Sequence, residues 1–375
     1  MNTSAVGSNY SRFTSIDAFR AVTMLLMIFV NDLWSLEDVP LWLGHAGAGE
    51  DRLGFSDIIF PAFLFIVGMS VPLAIEGRRN KGESNTLIQK HIALRALALI
   101  VMGVFHYNLE NYSHDALLPK GVWEILITVS FFLIWLDYRN VKETIVTTLK
   151  LSGVVLLIGL AAVYKGEYET GPWMQVGWWG ILGLIGWTYL IVSTIYLWSR
   201  GDLRVQYIAL IFFLGLTCLS INHCCNATIA TAGVITTQFY RRGPLFWRFA
   251  FIACVVMILS GLLFRQWWDI SKIRATPSWA LICTGISIAT FALIAFIIDM
   301  KGKVRWYDLI KPAGIVTLTC YLLPYIHGGL LQLVNVRLPL FLRTGTPGLI
   351  KSFLFAWAIV AIAGILKKRG IALKV

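Results

Sequence analysis

The chain has 375 residues, of which 57% are hydrophobic and only 14% charged, and its formal net charge is +12. Its mean hydropathy of +0.72 is too high for an ordinary soluble globular protein. The cations lie in short segments between apolar runs, which argues against nucleic acid binding and indicates an integral membrane protein in contact with lipid headgroups.

Apolar runs recur along the whole chain, and as helices they are long enough to cross about 30 Å of hydrocarbon. They predict an all-α, polytopic transmembrane helix bundle of about 12 spans in a single domain, residues 1–375. Segment 224–240 is the weakest of them, because it is rich in Ala and Thr. The predicted helices cover residues 17–35, 56–76, 90–109, 121–137, 145–164, 175–198, 204–221, 224–240, 245–265, 278–299, 313–334 and 348–366.

The distribution of cations predicts the orientation of these helices. Lys and Arg concentrate in alternate loops only if segment 224–240 spans, and cytoplasmic loops are the ones enriched in Lys and Arg. We therefore expect both termini in the cytoplasm, residues 1–16 as a short cytoplasmic segment, and the protein in the inner (cytoplasmic) membrane. The cation-rich group comprises Arg78, Arg79, Lys81, Arg139, Lys142, Arg200, Arg204, Arg241, Arg242, Lys301, Lys303, Arg305, Lys367, Lys368 and Arg369.

The cysteines do not predict a metal site. All six lie inside or at the ends of predicted helices, where a small apolar packing role is the simplest interpretation. His223, Cys224 and Cys225 are adjacent, but neighbouring residues on a helix diverge by about 100° and would not converge on one ion. We therefore expect no metal.

Two arginines and one aspartate are expected near the cytoplasmic face. Asp17 and Arg20 open the first helix at a spacing that places them on one face, and Arg95 lies about one turn into the third helix. Arginines here can extend to lipid headgroups. They can also bind an anionic ligand at the mouth of the bundle.

Histidines predominate at the opposite face, where five of the six are expected, at positions 45, 106, 114, 223 and 327. His45 stands apart because the glycine-rich loop around it connects Asn31, at the end of the first helix, to Asp57, at the start of the second. A carboxylate bonded to one imidazole nitrogen leaves the other free to accept a proton, and Asn31 is placed to donate to an oxyanion. Asp57 also fits a plain helix-capping role, and both roles can coexist.

Three further side chains are candidates for binding an acceptor: Glu124, Trp179 and His327. Glu124 falls near the outer end of the fourth helix, and Trp179 falls near the outer end of the sixth. The flat aromatic face of a tryptophan suits a pyranose ring. The alternative for the tryptophans is the aromatic belt that marks membrane interfaces.

These residues resemble the heparan-α-glucosaminide N-acetyltransferase family. The resemblance rests on the segments Ser15-Ile16-Asp17-Ala18-Phe19-Arg20, Met27-Ile28-Phe29-Val30-Asn31, His45 and Asp57-Ile58-Ile59-Phe60-Pro61-Ala62-Phe63-Leu64-Phe65-Ile66-Val67-Gly68. Weaker likenesses follow at Leu94-Arg95, at Trp178-Trp179-Gly180-Ile181-Leu182-Gly183, and at His327, where the family has a histidine near the outer end of its penultimate helix. Ala21 departs from the family, which has glycine after the arginine.

The resemblance implies a membrane enzyme that moves acetyl from cytoplasmic acetyl-CoA to the amine of a terminal glucosamine or related amino sugar of a glycan outside. It assigns catalysis to His45, supported by Asn31 and Asp57, and we expect Asp17, Arg20 and Arg95 to hold acetyl-CoA. Two alternatives stay open, an O-acyltransferase of an extracytoplasmic glycan and a 12-helix sugar or anion transporter. A homodimer is left open as well.

Overall fold

A computed structural model describes residues 14–139, 141–221, 223–335 and 338–374. Among these residues the regular structure is helical, with isolated β-bridges and no strand, so the all-α prediction is confirmed. Most of the predicted 1–16 segment lies outside the described residues. Twelve long helices and one short helix, α11, are present at α1 Thr14–Asp32, α2 Phe55–Arg79, α3 Asn85–Tyr107, α4 Lys120–Trp135, α5 Glu143–Ala162, α6 Gly180–Trp198, α7 Leu203–Cys218, α8 Cys224–Tyr240, α9 Leu245–Phe264, α10 Pro277–Ala295, α11 Lys311–Ile315, α12 Thr317–Val334 and α13 Gly345–Lys368.

Each predicted helix is found, but some ends differ, and the predicted helix 313–334 is divided at Val316 into α11 and α12. α6 begins five residues later than predicted, at Gly180, because Gly177, Trp179 and Gly180 all adopt positive φ angles that interrupt the helix. α10 continues as a π-helical turn, Phe296–Met300, beyond its last α-helical residue.

Length and composition qualify seven helices of the described residues as membrane spans: α2, α3, α5, α6, α9, α13 and α10 with its π-helical extension. Long apolar helices of this kind indicate a membrane protein. The 12 spans and the cytoplasmic termini stay predictions.

The central position of helix α8 in the bundle accounts for its low hydropathy. Every residue from Cys225 to Thr237 is buried, and the helix packs against α2, α7 and α10. A helix surrounded by other helices needs small side chains that allow close approach rather than bulky apolar ones. Ala and Thr meet that requirement, so the composition that made this helix doubtful reflects its central position.

The contact between α2 and α8 depends on glycine. A Cβ atom on Gly68 would lie 1.8 Å from the carbonyl oxygen of Ala230. A Cβ atom on Gly233 would lie 2.1 Å from the carbonyl oxygen of Phe65. Since backbone is the obstacle in both cases, a larger side chain would force the helices apart.

We therefore expect Gly68→Ala to destabilise the protein by about 1–3 kcal/mol, the usual cost of overpacking. The midpoint of thermal unfolding in detergent micelles measures this. Gly77→Ala is the matched control on the same helix, since no atom lies within 4 Å of the added Cβ. Equal midpoints for the two variants would contradict the close packing of α2 on α8.

Contacts between connecting segments define the two ends of the bundle. At one end, Asp51 of the α1–α2 connection contacts Arg265 of the α9–α10 connection, and the backbone of Ser113 bonds that of Lys165. At the other end, Arg79 donates to the carbonyl oxygen of Leu197. We call these the His45 end and the Arg20 end.

Candidate active site

The connection between α1 and α2 folds back on the start of α2. The amide of Phe55 donates to the carbonyl of Trp42 at 2.7 Å, and the amide of Ser56 donates to that of Leu43 at 3.1 Å. These two bonds place His45, two residues after Leu43, beside the first turn of α2. The glycine-rich loop thus folds back tightly on α2.

Gly54 makes the return possible. A Cβ atom at this position would lie 1.9 Å from the carbonyl oxygen of Gly44. The two chain segments therefore approach more closely than any other residue at position 54 would allow.

The Asp57 carboxylate, 1% exposed, is the fixed centre of the site. Its Oδ1 atom lies 2.7 Å from Nδ1 of His45. Its Oδ2 atom accepts the amide of Ala46 at 3.0 Å and the amide of Gly54 at 3.1 Å. Asp57 therefore orients the histidine and also caps the N-terminus of α2, so both roles foreseen from the sequence coexist.

This geometry assigns the tautomer of His45. A carboxylate oxygen at 2.7 Å accepts a hydrogen from Nδ1, so in the neutral ring the proton resides on Nδ1 and Nε2 carries the lone pair. The side chain of His45 is 25% exposed, so a reactant can reach it. The pair has the base-and-orienter arrangement used in general base and nucleophilic catalysis.

Asn31 is near in sequence but is not bonded to this pair. Its side chain is exposed in the last turn of α1, and in the described part of the chain no hydrogen bond joins it to His45 or Asp57. The ring centroid of Trp34 lies 6.1 Å from that of His45. The oxyanion role of Asn31 stays a prediction.

Three contacts of the His45–Asp57 pair were not predicted from the sequence. Arg52 donates to the carbonyl oxygen of His45 at 3.1 Å. The indole of Trp279 donates to the carbonyl oxygen of Asp57 at 3.1 Å, and Nζ of Lys272 lies 3.4 Å from Nδ1 of His45. Trp279 and Lys272 are more than 200 positions away along the chain, so no local pattern identifies them.

At the Arg20 end, two of the predicted donor-binding residues share a cavity of about 580 Å³, Arg20 and Arg95. Arg20 donates to Asp17 at 3.1 Å, as the spacing predicted, and to Ser70 at 2.7 Å. The guanidinium of Arg95 lies over the ring of Tyr189, 5.0 Å from its centroid.

A second cavity of about 1170 Å³ adjoins the first and shares Arg95 and Tyr189 as lining residues. Its walls also carry a set of basic side chains from α2, α3, α5 and the C-terminal segment. This set makes the Arg20 end suited to a multiply charged anion. Its members are Arg78, Lys81, His91, Lys150 and Lys374.

The three predicted acceptor-binding residues lie on separate elements. Glu124 of α4 is buried and accepts from Gln332 of α12 at 3.1 Å. Trp179 precedes α6 and packs against Trp187, and His327 of α12 packs against Phe355. None of these contacts involves His45 or Asp57, so the acceptor-binding role of all three stays a prediction.

Among the described residues, no three His, Cys, Asp or Glu side chains converge on a position that an ion would occupy. The cysteines of the predicted helices are free thiols, including Cys224 and Cys225.

Comparison with known proteins finds similarity over no more than 35% of the chain. A family model described as heparan-alpha-glucosaminide N-acetyltransferase, catalytic, matches residues 12–113. The human heparan-alpha-glucosaminide N-acetyltransferase is 30% identical over 131 residues, which cover 33% of this chain and 18% of the human protein. The mouse protein of the same name is 29% identical over 139 residues, 35% of this chain and 20% of the relative.

The match thus covers no more than a fifth of either curated relative. The family segment nevertheless contains α1, α2 and α3 and, with them, Arg20, Asn31, His45, Asp57 and Arg95. Glu124, Trp179, Lys272 and His327 lie beyond it. Over its first three helices, the chain is similar to the heparan-α-glucosaminide N-acetyltransferase family.

Proposed function

We propose that this protein is a transmembrane N-acetyltransferase. It takes acetyl from acetyl-CoA bound at the Arg20 end and transfers it to the amine of a terminal glucosamine or related amino sugar at the His45 end. The observation that carries the proposal is the 2.7 Å contact between His45 and the buried carboxylate of Asp57, inside the segment that matches the catalytic family model.

The chemistry assigned to His45 is proton transfer. In the direct route, Nε2 removes a proton from the acceptor amine as the amine nitrogen attacks the thioester carbonyl carbon. The C–N bond forms, the C–S bond breaks, and the departing thiolate takes the proton back from His45. In the second route, Nε2 attacks the thioester carbonyl carbon, the C–S bond breaks and the thiolate leaves. The amine then attacks the acetyl carbon, the bond from that carbon to Nε2 breaks, and the proton lost by the amine passes to the thiolate.

The donor is proposed to extend along α1. Arg20 and Asn31 are 11 residues apart, which corresponds to about 16 Å along a helix. No compact ligand reaches both, but an elongated thioester does. The phosphates of acetyl-CoA would bind the basic side chains of the two cavities, Arg20 and Arg95 among them, and its acyl end would lie toward His45.

We expect the double substitution Arg20→Met with Arg95→Met to raise the KM for acetyl-CoA about tenfold or more. Each lost charge-assisted hydrogen bond is worth about 1.5–3 kcal/mol, and about 1.4 kcal/mol corresponds to a factor of ten. Initial rates against acetyl-CoA concentration measure the effect. Arg139→Met is the matched control, since Arg139 is 77% exposed and pairs with Asp137.

An unchanged KM in the double variant would remove the arginines from the donor site. Arg20 also donates hydrogen bonds to Asp17 and Ser70, so its substitution can lower stability. The midpoint of thermal unfolding of the double variant is therefore measured together with its KM. Arg95→Met alone provides a second test, since this side chain is exposed and its guanidinium lies over the ring of Tyr189.

The acceptor screen tests the proposed function. Purified protein is supplied with labelled acetyl-CoA and either glucosamine or N-acetylglucosamine, and the products are identified by mass spectrometry. We expect acetylation of the glucosamine amine. Acetylation of N-acetylglucosamine alone would indicate an O-acyltransferase, and uptake of unmodified sugar into vesicles would indicate a transporter.

The proposed setting is the inner (cytoplasmic) membrane, with the chain crossing it several times in contact with lipid. The seven long apolar helices support a membrane location. A homodimer stays open.

A further inference from the structure

Lys272 lies beside His45 in a segment that several contacts hold in place. Its Nζ atom is 3.4 Å from Nδ1 of His45. Contacts on either side of the lysine attach its segment to the α1–α2 connection and to the first turn of α2. On one side, Asp51 accepts from Arg265 at 2.8 Å and from the amide of Ile270 at 2.7 Å. On the other side, Trp279 donates to the carbonyl of Asp57 at 3.1 Å.

Lys272 has an unusual environment for a lysine. Its side chain is largely enclosed, and in the described part of the chain no carboxylate forms an ion pair with it. Its polar contact is the ring of His45. Burial lowers the pKa of Lys272, and the negative charge of Asp57 opposes this change by raising the same pKa.

The other charged groups around His45 are paired with each other. Arg52, which bonds the carbonyl of His45, holds Glu50 at 2.7 Å. Arg274 of the α9–α10 connection holds Asp269 at 2.8 Å. From α10, the thiol of Cys283 faces the backbone of Asp57. The two unbalanced charges beside the imidazole are therefore the Asp57 carboxylate and the Lys272 ammonium.

We infer that Lys272 is a positioning residue whose cation keeps the His45 ring uncharged and its Nε2 atom free to react. Asp57 alone would favour the imidazolium form, because an opposite charge stabilises the protonated ring. A like charge at 3.4 Å has the opposite effect.

The consequence for the reaction is that Nε2 can both accept a proton and release it. An imidazole that binds protons too tightly would be occupied at neutral pH and slow to return the proton to the leaving thiolate. Lys272 offsets the stabilisation of the imidazolium form by Asp57. The hydrogen bond from Nδ1–H to Asp57 still orients the ring. This inference rests on the proposed function only in assigning proton or acetyl transfer to His45.

The test follows the protonation of His45 directly. Diethyl pyrocarbonate reacts with neutral imidazole, so the rate of His45 modification against pH, measured by mass spectrometry of the peptide, reports where the ring loses its proton. We expect Lys272→Met to move the midpoint upward by about one pH unit, a tenfold change in proton affinity. The acidic limb of the kcat/KM profile should move by the same amount, and Lys272→Arg should restore both.

Arg274→Met is the matched control, since it removes a cation of the same connection that is already paired with Asp269. Lys272→Gln provides a second neutral variant if the methionine variant folds poorly. An unchanged midpoint in both neutral variants, or an equal shift in the arginine variant, would overturn the inference. The modification assay needs no acetyl transfer, so failure of the proposed function and failure of this inference are distinguishable.

Discussion

Replacing His45 with alanine is expected to lower kcat for acetyl transfer about a thousandfold, within the range that a general base contributes. The variant loses the group that accepts the amine proton or the acetyl group. The KM for acetyl-CoA should stay within about twofold, because the basic side chains that we assign to the nucleotide lie at the other end of the bundle. Single-turnover and steady-state rates in detergent or nanodiscs measure both parameters.

The fold should survive this substitution. His45 is a partly exposed loop residue whose side chain contacts Asp57, Lys272 and Trp34 at the edge of the bundle. His114→Ala is the control, an exposed histidine in another connection of the same end. His45→Gly with added imidazole should regain part of the rate. Full activity of the alanine variant with an unchanged unfolding midpoint would contradict the assignment.

Asp57→Asn is expected to reduce kcat by about 10²–10⁴, the range associated with loss of a base or of its correct tautomer. Three N–H donors converge on the carboxylate, from His45, Ala46 and Gly54, and an amide nitrogen accepts none of them. If the asparagine turned its NH2 group toward His45, Nδ1 would have to accept that hydrogen bond. The imidazole proton would then reside on Nε2, the atom that must react.

Because Asp57 also caps α2, its substitution should lower stability as well, by about 1 kcal/mol or more. Rates are therefore measured well below the unfolding midpoint. Glu50→Gln is the matched control, since Glu50 is an exposed carboxylate of the same connection that accepts from Arg52 and Gly47. A kcat for Asp57→Asn equal to that of Glu50→Gln would show that the carboxylate does not orient a reacting histidine.

The parts of the site that could be predicted from the sequence are those determined by local geometry. The i to i+3 spacing of Asp17 and Arg20 predicted their pairing, and the hydrogen bond between them is present. Glycines at 44 and 54 permitted the close return that brings His45 to Asp57. Helix α8 followed from the alternation of charged loops, although its composition reflects helix packing rather than lipid contact.

The parts that could not be predicted depend on contacts between distant segments. Lys272 reaches His45 because Asp51 and Asp57 fix the α9–α10 connection, and no periodicity encodes that attachment. The late start of α6 depends on three residues with positive φ, at positions 177, 179 and 180. Asn31 illustrates the converse, since its closeness in sequence does not bring it into hydrogen-bonding contact with His45.

The central claim is that acetyl crosses the membrane from a donor on one face to an acceptor on the other. Proteoliposomes that enclose glucosamine and receive labelled acetyl-CoA outside test it most directly. The account predicts labelled N-acetylglucosamine in the lumen with wild-type protein and none with His45→Ala. Product formed only when both substrates share one compartment would contradict it.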